Sequence, residues 1–123
     1  ELEIIRNIGI NNATASKLAK DYYEIIKDLL TALLLAYGLK SSNHECLIAF
    51  FRHQYPQHEY ESSIMHQLKN TRNKVSYDGY FVDENYIIGN TNDFLRIIDI
   101  LQKIINEKAP HLGQVAQKWD RKE

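Results

Sequence analysis

With one cysteine, two prolines and five glycines among 123 residues, this chain has little to cross-link it and little to break a helix. The lone Cys46 excludes an internal disulfide framework and a cysteine-rich zinc site. A reducing compartment is compatible with that, and a cytoplasmic location is the expectation. So few breakers argue for helices rather than many short strands. No stretch reaches the roughly 18 uninterrupted apolar residues of a membrane span. The run from Leu29 to Tyr37 is much too short. The amino end carries Glu1, Glu3 and Arg6 rather than the basic start and apolar run of a signal peptide. Charge of one sign is also lacking: 15 Lys and Arg against 16 Asp and Glu leave a net charge of −1. No broad electrostatic footprint for nucleic acid follows, so any RNA contact must come from a local patch. A phosphate-binding glycine loop, a paired-carboxylate arrangement and a nucleophile motif are all absent, and no cofactor is implied.

What is present is a 44% hydrophobic chain, long enough for one compact domain and too short for two. From Ala15 the apolar positions Leu18, Ala19, Tyr22, Ile25, Ile26, Leu29, Leu30 and Leu33 keep helical spacing for several turns. Asn11 or Asn12, with Thr14 and Ser16 as alternatives, offers the start, and Gly38 the left-handed end. Leu34, Leu35 and Tyr37 fill the remaining faces, more apolar surface than one bundle needs. Ser42-Asn43-His44-Glu45 reads as a capping box for a helix that ends before Pro56. Residues 57–78 form a third helix, closed by Gly79. Residues 80–91 read as a connector whose aromatics pack onto the bundle, and Thr91 or Asn92 then caps a last helix. The expectation is all-α: an antiparallel bundle of four main helices over residues 1–109, with short additional terminal helical segments allowed, and a polar tail over 110–123. Its core should include Leu18, Tyr22, Ile26, Leu29, Leu33, Leu47, Phe50, Ile64, Leu68, Leu95, Ile98 and Leu101.

The third helix carries the chemistry-bearing feature. Ile64, Met65, Leu68 and Val75 share one sector at about 100° per residue, and Arg72 falls inside it. A guanidinium is costly to bury unpaired, so Arg72 must be paired, reach water or line a site. The bland account is a stem that packs while the head finds a carboxylate or a helix C-terminus. Opposite lies a polar row of His66, Asn70, Asn73 and Tyr77, suited to a polar interface or a small ligand site as well as to a solvated face. Among the other histidines, His44 reads as a locally hydrogen-bonded residue of a capping region. His53 and His58 with Glu59 lack a recognised metal-ligand spacing. No metal site is expected.

Three pieces, taken in order, resemble the HEPN family, small helical-bundle proteins of prokaryotes often found beside nucleotidyltransferase partners. They are Tyr22-Tyr23 leading an apolar helix to Leu33-Leu34-Leu35-Ala36-Tyr37-Gly38-Leu39, the connection Lys40-Ser41-Ser42-Asn43-His44, and Arg72-Asn73 followed by Tyr77-Asp78-Gly79. The likeness spans about residues 13–105. It implies a homodimer in a toxin–antitoxin or related two-component system, a nucleotidyltransferase partner, and a cleft lined by Arg72 and Asn73 with Tyr77 at its edge. Active ribonucleases of the family place a histidine about four to six residues after the arginine, one to two helical turns on. Here Ser76, Tyr77 and Asp78 stand in that window. Tyrosine, with a pKa near 10, is a poor stand-in for a proton carrier that works near neutrality. The expectation is therefore a degenerate motif with weak RNA contact. The alternatives are a metal-independent endoribonuclease using Arg72 with His66 or Tyr77, and a non-catalytic dimeric scaffold. His66 lies about 120° from Arg72 around the helix, so the two could meet only across a dimer.

Overall fold

In a computed structural model, which describes residues 14–41, 43–79 and 81–108, the chain is a bundle of four helices. They are α1 (Ala15–Ala36), α2 (His44–Gln54), α3 (Glu59–Asp78) and α4 (Glu84–Lys108), with a 3-10 turn over Pro56–His58 before α3. Among the described residues there is no strand, and no helix is long and apolar enough to cross a membrane. Asn11, Asn12, Ser42, Tyr80 and the tail over 110–123 lie outside the described residues.

α1 is the central element. It buries Ala15, Leu18, Ala19, Tyr22, Tyr23, Ile26, Leu30, Leu33 and Leu34. That set is wider than one helical stripe, because α1 packs against all three other helices and most extensively against α4. Thr14 takes the N-cap position without a side-chain cap, while Ser16 Oγ accepts the Val82 amide at 2.9 Å and so ties the start of α1 to the segment before α4. Past its last turn, Gly38 adopts φ 74°. The Gly38 and Leu39 amides then donate back to Leu35 and Leu34, each at 2.9 Å, in a Schellman closure.

Two boundaries differ from the sequence expectation. The cap of α2 is Asn43, not Ser42: its Oδ1 accepts the amides of Glu45 at 2.9 Å and Cys46 at 3.3 Å. Asn43's own amide donates to Ser41 Oγ, which leaves the Glu45 carboxylate free to reach α3. The last helix begins at Glu84, not at Thr91 or Asn92. Asp83 Oδ1 accepts the Asn85 amide at 2.8 Å, as a cap does. Asn90 and Thr91 donate from their side chains to the carbonyls of Tyr86 and Ile87, so they bond back into the helix instead of starting it. Ile87 is fully buried one heptad before Phe94, and that burial extends the apolar stripe of α4 backwards through the polar stretch. The expected connector thus shrinks to a short link before Glu84. Within it Val82 is buried and Phe81 is exposed.

Nine of the twelve expected core residues are buried: Leu18, Tyr22, Ile26, Leu33, Leu47, Ile64, Leu68, Ile98 and Leu101. Leu29, Phe50 and Leu95 are only partly buried, and in each case an immediate neighbour, Leu30, Phe51 or Phe94, holds the interior place. The surplus apolar surface near the end of α1 is smaller than expected. Leu34 is buried and Tyr37 packs edge-on against Phe50 while its hydroxyl pairs with that of Tyr55 at 2.7 Å. Leu35 remains exposed there.

Candidate functional site

Arg72 lies where its helical phase puts it, on the α3 stripe of Ile64, Met65 and Leu68, with Val75 packed at the stripe's edge. Its side chain is 19% exposed. The guanidinium crosses to α1, where Nη2 donates to Glu24 Oε1 at 3.2 Å. Its Cζ sits 6.0 Å from the centroid of the Tyr23 ring. Nη1 makes a long contact of 3.4 Å with Asn73 Oδ1. Among the described residues Nε is buried without a hydrogen-bond partner, an unused donor in a packed environment.

The surroundings extend the site over three helices. Glu24 also pairs through its other oxygen with Lys27 Nζ at 3.2 Å, so one carboxylate lies between two cations. One turn before Arg72 on α3, the buried Lys69 donates from Nζ to Glu45 Oε1 at 2.9 Å. At the first residue of α2, the His44 ring lies 5.3 Å from the same Tyr23 ring. The cluster therefore holds three cations (Lys27, Lys69 and Arg72), two carboxylates (Glu24 and Glu45), one imidazole and one phenol.

The electrostatics follow from that mixture. Burial and the charges of Lys27, Arg72 and Lys69 press the His44 pKa below its ordinary 6.5, against the opposing pull of Glu24. The imidazole is accordingly neutral at pH 7. Burial raises the Tyr23 hydroxyl to about 12; Arg72 counters this and Glu24 reinforces it. The hydrogen bond and charge of Lys69 hold the Glu45 carboxyl below its usual range.

A depressed histidine pKa fixes the sign of a pH effect. Well above pH 6.5 His44 is neutral in both folded and unfolded chains and contributes nothing. As pH falls through 6.5 the unfolded chain takes up the proton first, so the fold loses stability until the lower folded pKa is passed. Thermal melts should therefore drop more steeply between about pH 7.5 and pH 5.5 in the native chain than in His44→Gln. Parallel curves for the two proteins would refute the assignment of this titration to His44.

The residues named from sequence are distributed unequally. Arg72 and Asn73 are together. Tyr77 is 76% exposed, and His66 and Asn70 are exposed beside it on the outward row of α3. His58 pairs with Glu61 at 3.2 Å and stacks on Phe51. Among the described residues no group of three His, Cys, Asp or Glu is placed to hold a metal ion. His44 packs its ring against Tyr23. Sequence reading missed Glu24, Lys27, Lys69 and Glu45. The one local signal was the Glu24–Lys27 spacing of three, which marks a helix-surface ion pair and not a site. Comparison of the chain with family models, with curated proteins and with solved structures finds no match.

Proposed function

We propose that the chain is a HEPN-like helical bundle that acts as the dimeric component of a toxin–antitoxin or related two-component system, binding a nucleotidyltransferase partner and lacking efficient ribonuclease chemistry. The observation that carries this reading is the state of Arg72. Its charge is met by Glu24 of the same chain and its face by Tyr23, while the family's histidine window holds Ser76, Tyr77 and Asp78 and no histidine. A guanidinium so paired has its charge partly met already, and a scissile phosphate would have to compete with that carboxylate for it. The endoribonuclease reading gains one group that the sequence did not suggest. His44 is neutral at pH 7 and shares the Tyr23 ring with Arg72, so it could accept a proton where the exposed His66 and Tyr77 stand apart.

Pairing with a second copy is supported by large apolar side chains left in water from the last turn of α3 to the first turns of α4. Tyr77 is 76% exposed, Phe81 82% and Ile88 55%. Two aromatics and an isoleucine so close along the chain mark an interaction surface more readily than scattered exposed apolar residues do. A twofold pair is the commonest closed arrangement for such a surface. Light scattering at micromolar concentration should give a species of twice 14.4 kDa, and Phe81→Asp should give one of 14.4 kDa with unchanged helical circular dichroism. A native chain that runs at 14.4 kDa contradicts the dimer.

A further inference from the structure

The ion pairs around Arg72 are asymmetric. The cations are held fast and the carboxylates are not: the Lys69 side chain is 5% exposed and its partner Glu45 76%, and Arg72 is 19% exposed against 41% for Glu24. A packed lysine or arginine has already given up its rotamer freedom on folding. An exposed glutamate gives up its freedom for the pair alone and recovers it on leaving. Two facts add to the asymmetry. Glu24 presents one oxygen to Arg72 and the other to Lys27, so a two-oxygen anion already sits at the junction of the two cations. Arg72 Nε remains a buried donor with no acceptor among the described residues.

We propose that Lys27, Lys69 and Arg72 form a binding site for a phosphate monoester, and that Glu24 and Glu45 occupy it until the ligand arrives. Charge selects the ligand. An incoming carboxylate or phosphodiester carries one negative charge per group and exchanges with a glutamate like for like. A monoester carries about −1.5 to −2 at pH 7 and offers three strong acceptor oxygens. It can meet the planar fork of Arg72 on two of them and a lysine on the third. The start of α2, with His44 as its first residue, brings the positive end of an 11-residue helix to the cluster, although its Glu45 and Cys46 amides are already taken by Asn43 Oδ1. A long RNA backbone fits less well: the chain has a net charge of −1, and the groups flanking the three cations are the two glutamates themselves. The site is built from contacts within this chain and does not depend on the family resemblance.

The test is calorimetric titration of the full chain with inorganic phosphate, with adenosine 5′-monophosphate and with a short single-stranded RNA bearing a 5′-hydroxyl. Phosphate and the monophosphate should both bind. Lys27→Met removes the charge of the least buried of the three cations, 28% exposed, and keeps its apolar stem; it should weaken both by about tenfold, the worth of one charge-assisted contact. Glu24→Gln and Glu45→Gln should each tighten binding, because they remove the competitor but keep its shape. Purely structural ion pairs give the opposite pattern: the glutamine variants lose melting temperature and no phosphate binds. The ring resonances of His44 supply a second readout, since a bound dianion should raise its pKa back toward 6.5 or beyond. Equal affinity for phosphate and the monophosphate identifies a site that reads phosphate alone; tighter monophosphate binding identifies a contribution from the nucleoside. Absence of saturation by either at about 10 mM overturns the proposal, as does binding that the glutamine variants leave unchanged. Tighter binding of the 5′-hydroxyl RNA than of the monophosphate, lost in Lys27→Met, overturns the choice of ligand.

Discussion

Phe94→Ala is expected to destabilise the fold by about 3–5 kcal/mol, the usual cost of emptying a buried phenylalanine site. Phe94 is wholly buried, with its ring centroid 5.1 Å from that of Tyr22 on α1 and 6.3 Å from that of Tyr86 about two turns earlier on α4. It therefore joins the two helices that pack most extensively on each other, and alanine would strip both tyrosine rings of a packing partner. Against the 5–15 kcal/mol typical of a whole domain, that loss is a large fraction. For a domain of this size it corresponds to a fall in melting temperature of roughly 12–20 °C. Phe81→Ala is the control. Phe81 is 82% exposed in the single chain, and its truncation, read at a concentration below the proposed pairing, should change stability by less than about 0.5 kcal/mol. Thermal melts by circular dichroism read both. A Phe94→Ala variant that melts within a degree or two of the native chain contradicts the packing of α1 on α4 described above.

The choice of Phe94 also shows how far the sequence could be read. Apolar spacing identified the helices because a period near 3.6 is a property of each segment alone. It did not identify which of two adjacent apolar residues points inward. Leu29 and Leu30, Phe50 and Phe51, and Phe94 and Leu95 are neighbours about 100° apart, both within reach of a wide apolar face. The position of the neighbouring helix decides between them, and no local pattern contains it. The start of α4 was obscured for a related reason. Asn85, Gly89, Asn90, Thr91 and Asn92 are weak helix formers with capping and loop preferences. Burial of Ile87 and the back-bonding of Asn90 and Thr91 outweigh those preferences in the folded chain. At the site, Arg72 was legible because a charge on an apolar stripe is anomalous on its own helix. Its partner Glu24 lies 48 residues away, and Lys69 and Glu45 are 24 apart. Those pairs exist only once α1, α2 and α3 are packed together. His44 stands at the head of a helix, a place that suggests a local role, and its ring contact with Tyr23 could not be read locally because it exists only once α1 and α2 are packed together.

The largest change in activity is expected on restoring a proton carrier to the α3 motif. The unmodified chain should cleave RNA poorly in the absence of metal, and Tyr77→His should raise cleavage by up to the roughly 10²–10⁴-fold that general acid–base catalysis supplies. The geometry adds a condition to that gain. Residue 77 lies about 140° from Arg72 around α3, so the two side chains of one protomer do not converge. Tyr77 is also exposed in the same segment as Phe81, on the surface proposed for pairing. The new imidazole must therefore serve the arginine of a second copy. Its effect should fade on dilution through the dimer–monomer transition and be absent in the double variant Tyr77→His with Phe81→Asp. Glu24 sets a further condition, because Arg72 has to exchange this carboxylate for a phosphate before it can stabilise developing charge. Adding Glu24→Gln to Tyr77→His should thus increase cleavage again, while adding Arg72→Lys should abolish it, since lysine keeps the charge and loses the planar fork. Robust metal-free cleavage by the unmodified chain that disappears in Arg72→Lys would falsify the degenerate-motif reading. Its loss in His44→Ala as well would then identify the imidazole beside Tyr23 as the base that the sequence lacks after Arg72.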